Sequence, residues 1–304
     1  MLLAPVEFLR SSEALERTWT LADSLAYTRD LATRHYENFH VVSFLLPKRL
    51  HQDFYNVYSF CRWADDLGDE IGDTSESLRL LSWWRAELDK MYSGGVSHPV
   101  FVALQQTAAR YELPQSLFDD LIKAFEQDQT VTRYPNFHEL FQYCRYSANP
   151  VGRLVLGLCG YRDPERQALS DATCTALQLA NFWQDVIVDL TKDRVYLPLD
   201  LLERHGYPVE ALFERRFDSR FRAAMQEAVE VARKLFHKGL PLARTVDRRL
   251  AVDLDLFSRG GLKVLEKIER QDYNVLRARP KISKIERVRL LIAALTRHAF
   301  SRAA

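Results

Sequence analysis

Two sets of acidic residues recur at helical spacing, and they carry whatever chemistry this sequence performs. In Arg62-Trp63-Ala64-Asp65-Asp66-Leu67-Gly68-Asp69, the side chains of Asp65 and Asp69 lie four residues apart. Tyr58 and Arg62 fall on the same helix face, the four spanning an arc of about 100°. In the second set, Gln178, Asn181, Asp185 and Asp189 follow one another at spacings of 3, 4 and 4, within an arc of about 80°. Their neighbours Leu177, Leu179, Ala180, Phe182, Trp183, Val186 and Ile187 are apolar. The polar stripe thus rides on a helix that is otherwise core, and it is expected to face something buried too. Carboxylates taken out of water repel one another and hold their protons unless cations neutralise them. No His or Cys shares either stripe, so the oxygen-only donors suit magnesium, with manganese as a substitute, rather than zinc. Magnesium usually completes its octahedron with water and substrate phosphate oxygens, so the implied substrate carries phosphate. The competing reading is two unrelated clusters of surface charge, the commoner fate of a single acidic cluster.

Long helices must hold such stripes, and the composition favours them. Only 11 Gly and 11 Pro occur in 304 residues, well below the usual combined share of about 12%, which disfavours turn-rich β architectures. Hydrophobic residues make up 47% of the chain, enough for a large core, and this excludes intrinsic disorder. Apolar periodicity and local stop signals predict an all-α chain, with helices over about 20–36, 48–70, 76–92, 100–111, 115–127, 163–190, 218–238, 244–271 and 283–298. Gly68 and Gly72 should fray the end of the second. Asn136 and Glu139 form a capping-box pattern that starts a further helix running to about 158, kinked at its internal Pro150. No strand-period segment, repeat or linker interrupts residues 1–304, which read as a single domain.

Lys and Arg total 42 against 41 Asp and Glu, a net charge of +1, so no global field recommends a nucleic-acid partner. Cys61, Cys144, Cys159 and Cys174 show no CxxC or zinc spacing and read as reduced thiols. Glu7, Glu13 and Glu16 interrupt the N-terminal segment, which argues against a secretory signal and for the cytoplasm. No run approaches the roughly 18 apolar residues of a membrane span. Any membrane contact is therefore expected to be peripheral, at the inner face. Arg287, Arg289, Arg297, His298 and Arg302 flank the apolar run 290–295, a pattern that fits a packed terminal helix first and membrane docking second.

The stretch from Tyr58 to Asp69 resembles the first Asp-rich motif of the squalene/phytoene synthase family of head-to-head prenyl transferases. Gln178 to Asp189, followed by Lys192-Asp193-Arg194-Val195-Tyr196-Leu197-Pro198, resembles its second. The resemblance runs in order over about 38–284. It implies the isoprenoid-synthase fold, one helical bundle around a central cavity with the two motifs facing each other at its mouth. Within the family, Glu37-Asn38-Phe39 with Ser43 to Arg49, Tyr143 to Arg153, and Asn181-Phe182-Trp183-Gln184-Asp185 are most similar to hydroxysqualene synthases of bacterial hopanoid biosynthesis.

Several roles follow from that resemblance. Asp65, Asp69, Asn181, Asp185 and Asp189 would hold magnesium. Ser43, Phe44, Arg62, Arg145, Gln178, Asn181, Arg194 and Tyr196 would bind substrate, with Arg153 and a cation from 277–281 as further candidates. Tyr58 and Phe44 would face the carbocation, and Val151, Leu154, Val155, Leu177 and Ala180 would line a tunnel for the prenyl tail. The loop residue His40 could approach the same cavity. Two departures from the family pattern bear on the product. Gln184 stands where many relatives carry Arg, which implies a missing diphosphate contact. Asn149-Pro150 replaces small residues, and Asn149 could position a water. The implied activity is magnesium-dependent conversion of presqualene diphosphate and water to hydroxysqualene and diphosphate, with no NADPH expected. The alternative joins two prenyl diphosphates into presqualene diphosphate, squalene or phytoene, and a non-catalytic scaffold homologue is third.

Overall fold

A computed structural model describes residues 3–34 and 46–299. Among these residues there is no strand, and the one β-type contact is an isolated parallel bridge between Arg133 and Val195. The all-α expectation therefore holds. The backbone divides into two compact units, Met1–Thr130 with Arg153–Arg162, and Val131–Gly152 with Asp163–Ala304.

The first unit contains α1 (Pro5–Leu9), α2 (Ser12–Glu16), α3 (Leu21–Arg34), α4 (His51–Asp69), α5 (Thr74–Tyr92), α6 (Pro99–Arg110) and α7 (Gln115–Gln127). The short α1 and α2 escape sequence reading because five residues cannot display a helical period. Helix α4 is the central element, packed by α3, α5, α6 and α7. Its inner face carries Phe60, Trp63, Ala64 and Leu67, all fully buried. The Trp63 and Trp84 rings stack at 5.0 Å, and His98 stands edge-on to Trp63 at 4.4 Å. Burial pushes the His98 imidazole down to about 3, so it is neutral, and its Nδ1 accepts from Val100 N at the start of α6.

A polar chain fixes the rotation of α4. Thr28 Oγ1 donates to Asn56 Oδ1 (2.7 Å), and Asn56 Nδ2 donates to Ala103 O and Thr107 Oγ1. Thr107 and Tyr111 in turn donate to the two oxygens of Asp53 at 2.8 and 2.9 Å. Each group is satisfied and all but the half-buried Tyr111 are buried, so turning α4 about its axis would orphan several at once. Gly68 does not fray this helix as expected. It stays helical because Gln129 approaches it, Nε2 donating to Gly68 O at 3.0 Å, and a Cβ would sit 3.3 Å from that nitrogen.

The second unit contains α8 (Phe137–Ser147) and the first turn of α9 (Asn149–Leu158), whose remainder belongs to the first unit. It continues with α10 (Pro164–Asp189), the short α11 (Leu199–Arg204) and α12 (Glu210–Phe213), then α13 (Ser219–Gly239), α14 (Arg248–Arg270) and α15 (Lys284–Ala299). Asn136 caps α8 as its pattern requires, Oδ1 accepting from Glu139 N at 3.0 Å. The expected kinked helix to 158 is instead two helices, with the break at Ala148 (φ −114°). Pro150 disfavours helical geometry at the residue before it and crowds the carbonyl four residues back, so the interruption falls upstream of the proline. Gly152 then lets the first turn of α9 press on α10, where a Cβ would collide with Ser170 and Cys174.

The longest helix, α10, is capped by Asp163, which accepts from Arg166 N at 2.9 Å. It buries Ala172, Ala176, Leu179, Ala180 and Trp183 against α13 and α14. Trp183 Nε1 donates to Ala228 O of α13 at 3.1 Å, which sets the rotation of α10. The four cysteines are unbridged thiols. Among the described residues no helix is long and apolar enough to cross a membrane.

Candidate active site

The α4 stripe is built from one helix and carries its own counter-ion. Arg62 pairs with Asp66 (Nη2 to Oδ1, 2.5 Å) and approaches Asp65 more loosely at 3.6 Å. Asp66 is buried, and desolvation, opposed by Arg62, raises its carboxyl to about 6. Burial likewise pushes the Tyr58 phenol up. By contrast, the Asp65 side chain is 48% exposed and Asp69 is exposed. Arg62 is therefore committed to Asp66, a residue sequence reading passed over. The signal was present, since Asp66 lies four residues after Arg62. Asp65 and Asp69 carry the solvent-exposed part of the stripe.

The α10 stripe draws its cations from distant chain. Arg279 clasps Asp185 with both forks, Nε to Oδ1 and Nη2 to Oδ2, the latter at 3.0 Å. Beside it, the buried Gln184 Nε2 donates to Pro280 O at 2.5 Å. Two adjacent residues of α10 thus grip two adjacent residues of the returning segment. Beyond Asp189 the chain makes a 3-10 turn over Leu190–Lys192, and Asp193 takes a left-handed conformation (φ 54°). Arg194 N returns to Asp189 O at 2.9 Å. Arg133 holds this turn through Asp193, with Nη2 2.6 Å from its Oδ1.

Asp189 is the most perturbed group of the two stripes. Its Oδ2 is buried and has no hydrogen-bond partner. Desolvation first, and the neighbouring Asp185 charge second, raise its carboxyl to about 7 against the pull of Arg194, Lys192 and Arg279. A buried, unsatisfied carboxylate oxygen flanked by cations is poised for a further charged species.

The remaining expectations resolve individually. The α10 stripe was expected to face something buried, but Asn181 is exposed and Gln178, Asp185 and Asp189 are half-buried. The apolar faces of α10 take the packing with α13 and α14, which leaves the polar side open. Tyr196 is buried, its ring stacked on Phe182 at 3.7 Å. Arg145 on α8 is exposed. Asn149 Oδ1 accepts from Thr175 Oγ1 at 3.0 Å, so its acceptor oxygen ties α9 to α10. Val151, placed in the tail tunnel by resemblance, is 40% exposed, because the turn beginning at Asn149 directs Gly152 rather than Val151 against α10. Arg279, inside the 277–281 stretch named as a source of a further cation, pairs with Asp185 next to Gln184. Ser43, Phe44 and His40 lie outside the described residues.

Among the described residues no group of three or more His, Cys, Asp or Glu is placed to hold a metal ion. The stripes instead offer paired carboxylates, oxygen donors only, and at Asp189 an oxygen with nothing bound to it. That set fits a hard divalent ion that brings water and phosphate ligands with it, the usual habit of magnesium.

Comparison with known proteins places the chain in a family. Residues 32–286 match the squalene/phytoene synthase model. The hydroxysqualene synthase of Rhodopseudomonas palustris is 33% identical over 252 residues, 82% of this chain and 85% of that one. The phytoene synthase of Thermus thermophilus is 33% identical over 258 residues, 84% and 87% of the two chains. Among solved structures, squalene synthase HpnC from Alicyclobacillus acidocaldarius aligns with a TM-score of 0.80 at 44% identity, covering 84% of this chain and 96% of that one. A dehydrosqualene synthase at 24% identity, covering 91% and 97%, shares the fold with a TM-score of 0.81. The fold is thus the all-α isoprenoid-synthase fold. Because the family match runs unbroken through both aspartate stripes, the chain belongs to the squalene/phytoene synthase family, head-to-head prenyl transferases that act on prenyl diphosphates.

Proposed function

We propose that this protein is a magnesium-dependent enzyme that ionises presqualene diphosphate and lets water capture the cation, giving hydroxysqualene and diphosphate in hopanoid biosynthesis. The observation that carries the diphosphate chemistry is the Asp185/Asp189 pair with Arg279 and Arg194 beside it. The similarity to two hydroxysqualene synthases, at 33% and 31% identity, supports the choice of product.

Magnesium, when bound, supplies charge neutralisation at the leaving diphosphate. The residues proposed to bind magnesium are Asp65 and Asp69 on α4 and, on α10, Asn181, Asp185 and Asp189. The chain's own cations do the rest. Breaking the cyclopropylcarbinyl C–O bond leaves both electrons on the diphosphate, and Arg194, Lys192 and Arg279 stabilise that charge where it develops. The carbon left positive needs faces that stabilise it without adding to it, a role that falls to Tyr58 and Phe44. Water then adds its oxygen to the cation and releases one proton, so no reductant enters and NADPH is not required. The donor NH2 of Asn149, whose oxygen is engaged by Thr175, is the group assigned to orient that water.

A second reading, condensation of two prenyl diphosphates to phytoene or squalene, is favoured by the equal similarity to the Thermus phytoene synthase. Arg279 sharpens this alternative, because it restores positive charge beside Gln184. The deciding experiment gives purified enzyme and magnesium presqualene diphosphate, or farnesyl or geranylgeranyl diphosphate separately, with and without NADPH, in oxygen-18 water. Labelled hydroxysqualene formed equally without NADPH is expected. Squalene appearing only with NADPH, or phytoene from geranylgeranyl diphosphate, would transfer the assignment to the second reading.

A further inference from the structure

The C-terminal helix α15 has two faces with different fates. One is packed: Ala294 and His298 are buried, and Arg297 pairs with the buried Asp255 of α14. On the other, Ile285, Val288, Ile292 and Leu295 are 68%, 55%, 56% and 40% exposed. Their spacings of 3, 4 and 3 bring them within an arc of about 80°, a stripe roughly 15 Å long. Single exposed apolar residues need no explanation, but four in one line present a continuous surface.

The charges around this stripe all have one sign. Lys284 and Arg289, both exposed, lie within about 40° of its two edges, and the exposed Lys281 lies three residues before the helix. The single acid of α15, Glu286, is drawn towards α14, accepting from Ser283 and pairing with Lys267 at 2.8 Å. Nothing acidic on α15 offsets the positive rim. An apolar stripe bordered by exposed Lys and Arg matches the boundary between acyl chains and anionic headgroups. Two copies meeting through this face would set like charges against each other, which disfavours self-association.

We infer that this face of α15 docks on an anionic lipid surface, with Ile285, Val288, Ile292 and Leu295 entering the headgroup boundary. The stripe is independent of the aspartates, so the inference survives either product assignment. A family whose substrates carry prenyl chains gains from working at such a surface.

The test uses the full chain and sedimentation with phosphatidylcholine vesicles containing roughly one third phosphatidylglycerol. Binding to these vesicles, weaker on pure phosphatidylcholine and weakened by salt, is expected. Lys284→Glu with Arg289→Glu should lower partitioning by at least about 25-fold, near five-fold for each basic residue lost. Ile285→Ser with Ile292→Ser should lower it at least about ten-fold, and melting should be unchanged because both side chains are exposed. Equal binding by all variants, or no binding by the wild type, overturns the inference. So does a concentration-dependent dimer that the Ile285→Ser/Ile292→Ser variant abolishes, which would assign the stripe to a second copy.

Discussion

The aspartate stripes of α4 and α10 have the same residue types at similar spacing, yet the molecule neutralises them in opposite ways. On α4 the counter-ion is local. Arg62 reaches Asp66 one helical turn on, so the pair exists as soon as the helix does. On α10 the cations come from outside the helix: Arg194 by a tight turn, and Arg279 from a segment 94 residues away. On α4, Asp65 is half exposed and Asp69 exposed, whereas the α10 stripe holds Asp185, clasped by Arg279, and Asp189, whose Oδ2 has no hydrogen-bond partner. A local counter-ion fixes a charge pattern, and a distant one can be exchanged for a ligand.

Chelation has the largest expected effect. EDTA is expected to abolish turnover reversibly, and magnesium with diphosphate should raise the melting temperature more than either alone, since each completes the other's ligand set. Full turnover after exhaustive chelation would contradict the metal assignment.

Next in size are the aspartates themselves. Asp65→Ala, Asp69→Ala, Asp185→Ala and Asp189→Ala should each lose at least about 100-fold in turnover, without loss of melting temperature. If either stripe tolerated replacement within about threefold, that stripe would revert to surface charge.

The exchangeable cation on α10 predicts a smaller, divided effect. Arg279→Ala should raise KM for the prenyl diphosphate about ten-fold, the loss expected for one charge-assisted contact. It should also tighten magnesium binding measured calorimetrically without substrate, because Asp185 is released. Gln184→Ala should act in the same direction more weakly by loosening the segment at Pro280. Weaker magnesium binding in Arg279→Ala would mean the arginine supports the site rather than competing for it.

The smallest effect is on stability against pH, and it separates burial from function. Asp66, Asp189 and Asp253 have carboxyls raised to about 6, 7 and 8 from an ordinary 3.8, each chiefly by desolvation. Each binds its proton more tightly folded than unfolded. Their contribution to stability is therefore complete below about pH 4 and is lost as pH rises through those values. Asp253 is the control, being buried on α14 with neither oxygen bonded and outside both stripes. Asp253→Asn should match wild type below about pH 4 and melt at least about 3 °C higher at pH 8, with turnover unchanged. Equal melting curves at both pH values would show that Asp253 is solvated.

What could be read from the sequence follows the same division between local and distant. The long helices were legible because each rests on a period and a cap carried by its own residues, as at Asn136 and Asp163. The break at Ala148 was misplaced by two residues because the steric reach of Pro150 extends upstream. Within the site, the aspartates and Arg62 were legible from spacing alone. What Gln184 contacts was not legible, because its partner, Pro280, lies 96 residues on.

The sequence by itself determined an all-helical protein with two oxygen-donor stripes, since helical period, capping and residue chemistry act within a few residues. Only the tertiary structure decided which carboxylates are paired, orphaned or open. Desolvation and ion pairing depend on what packs beside a group in space, and that places Arg279 on Asp185, leaves Asp189 Oδ2 without a hydrogen bond, and gives α15 one packed face and one exposed one.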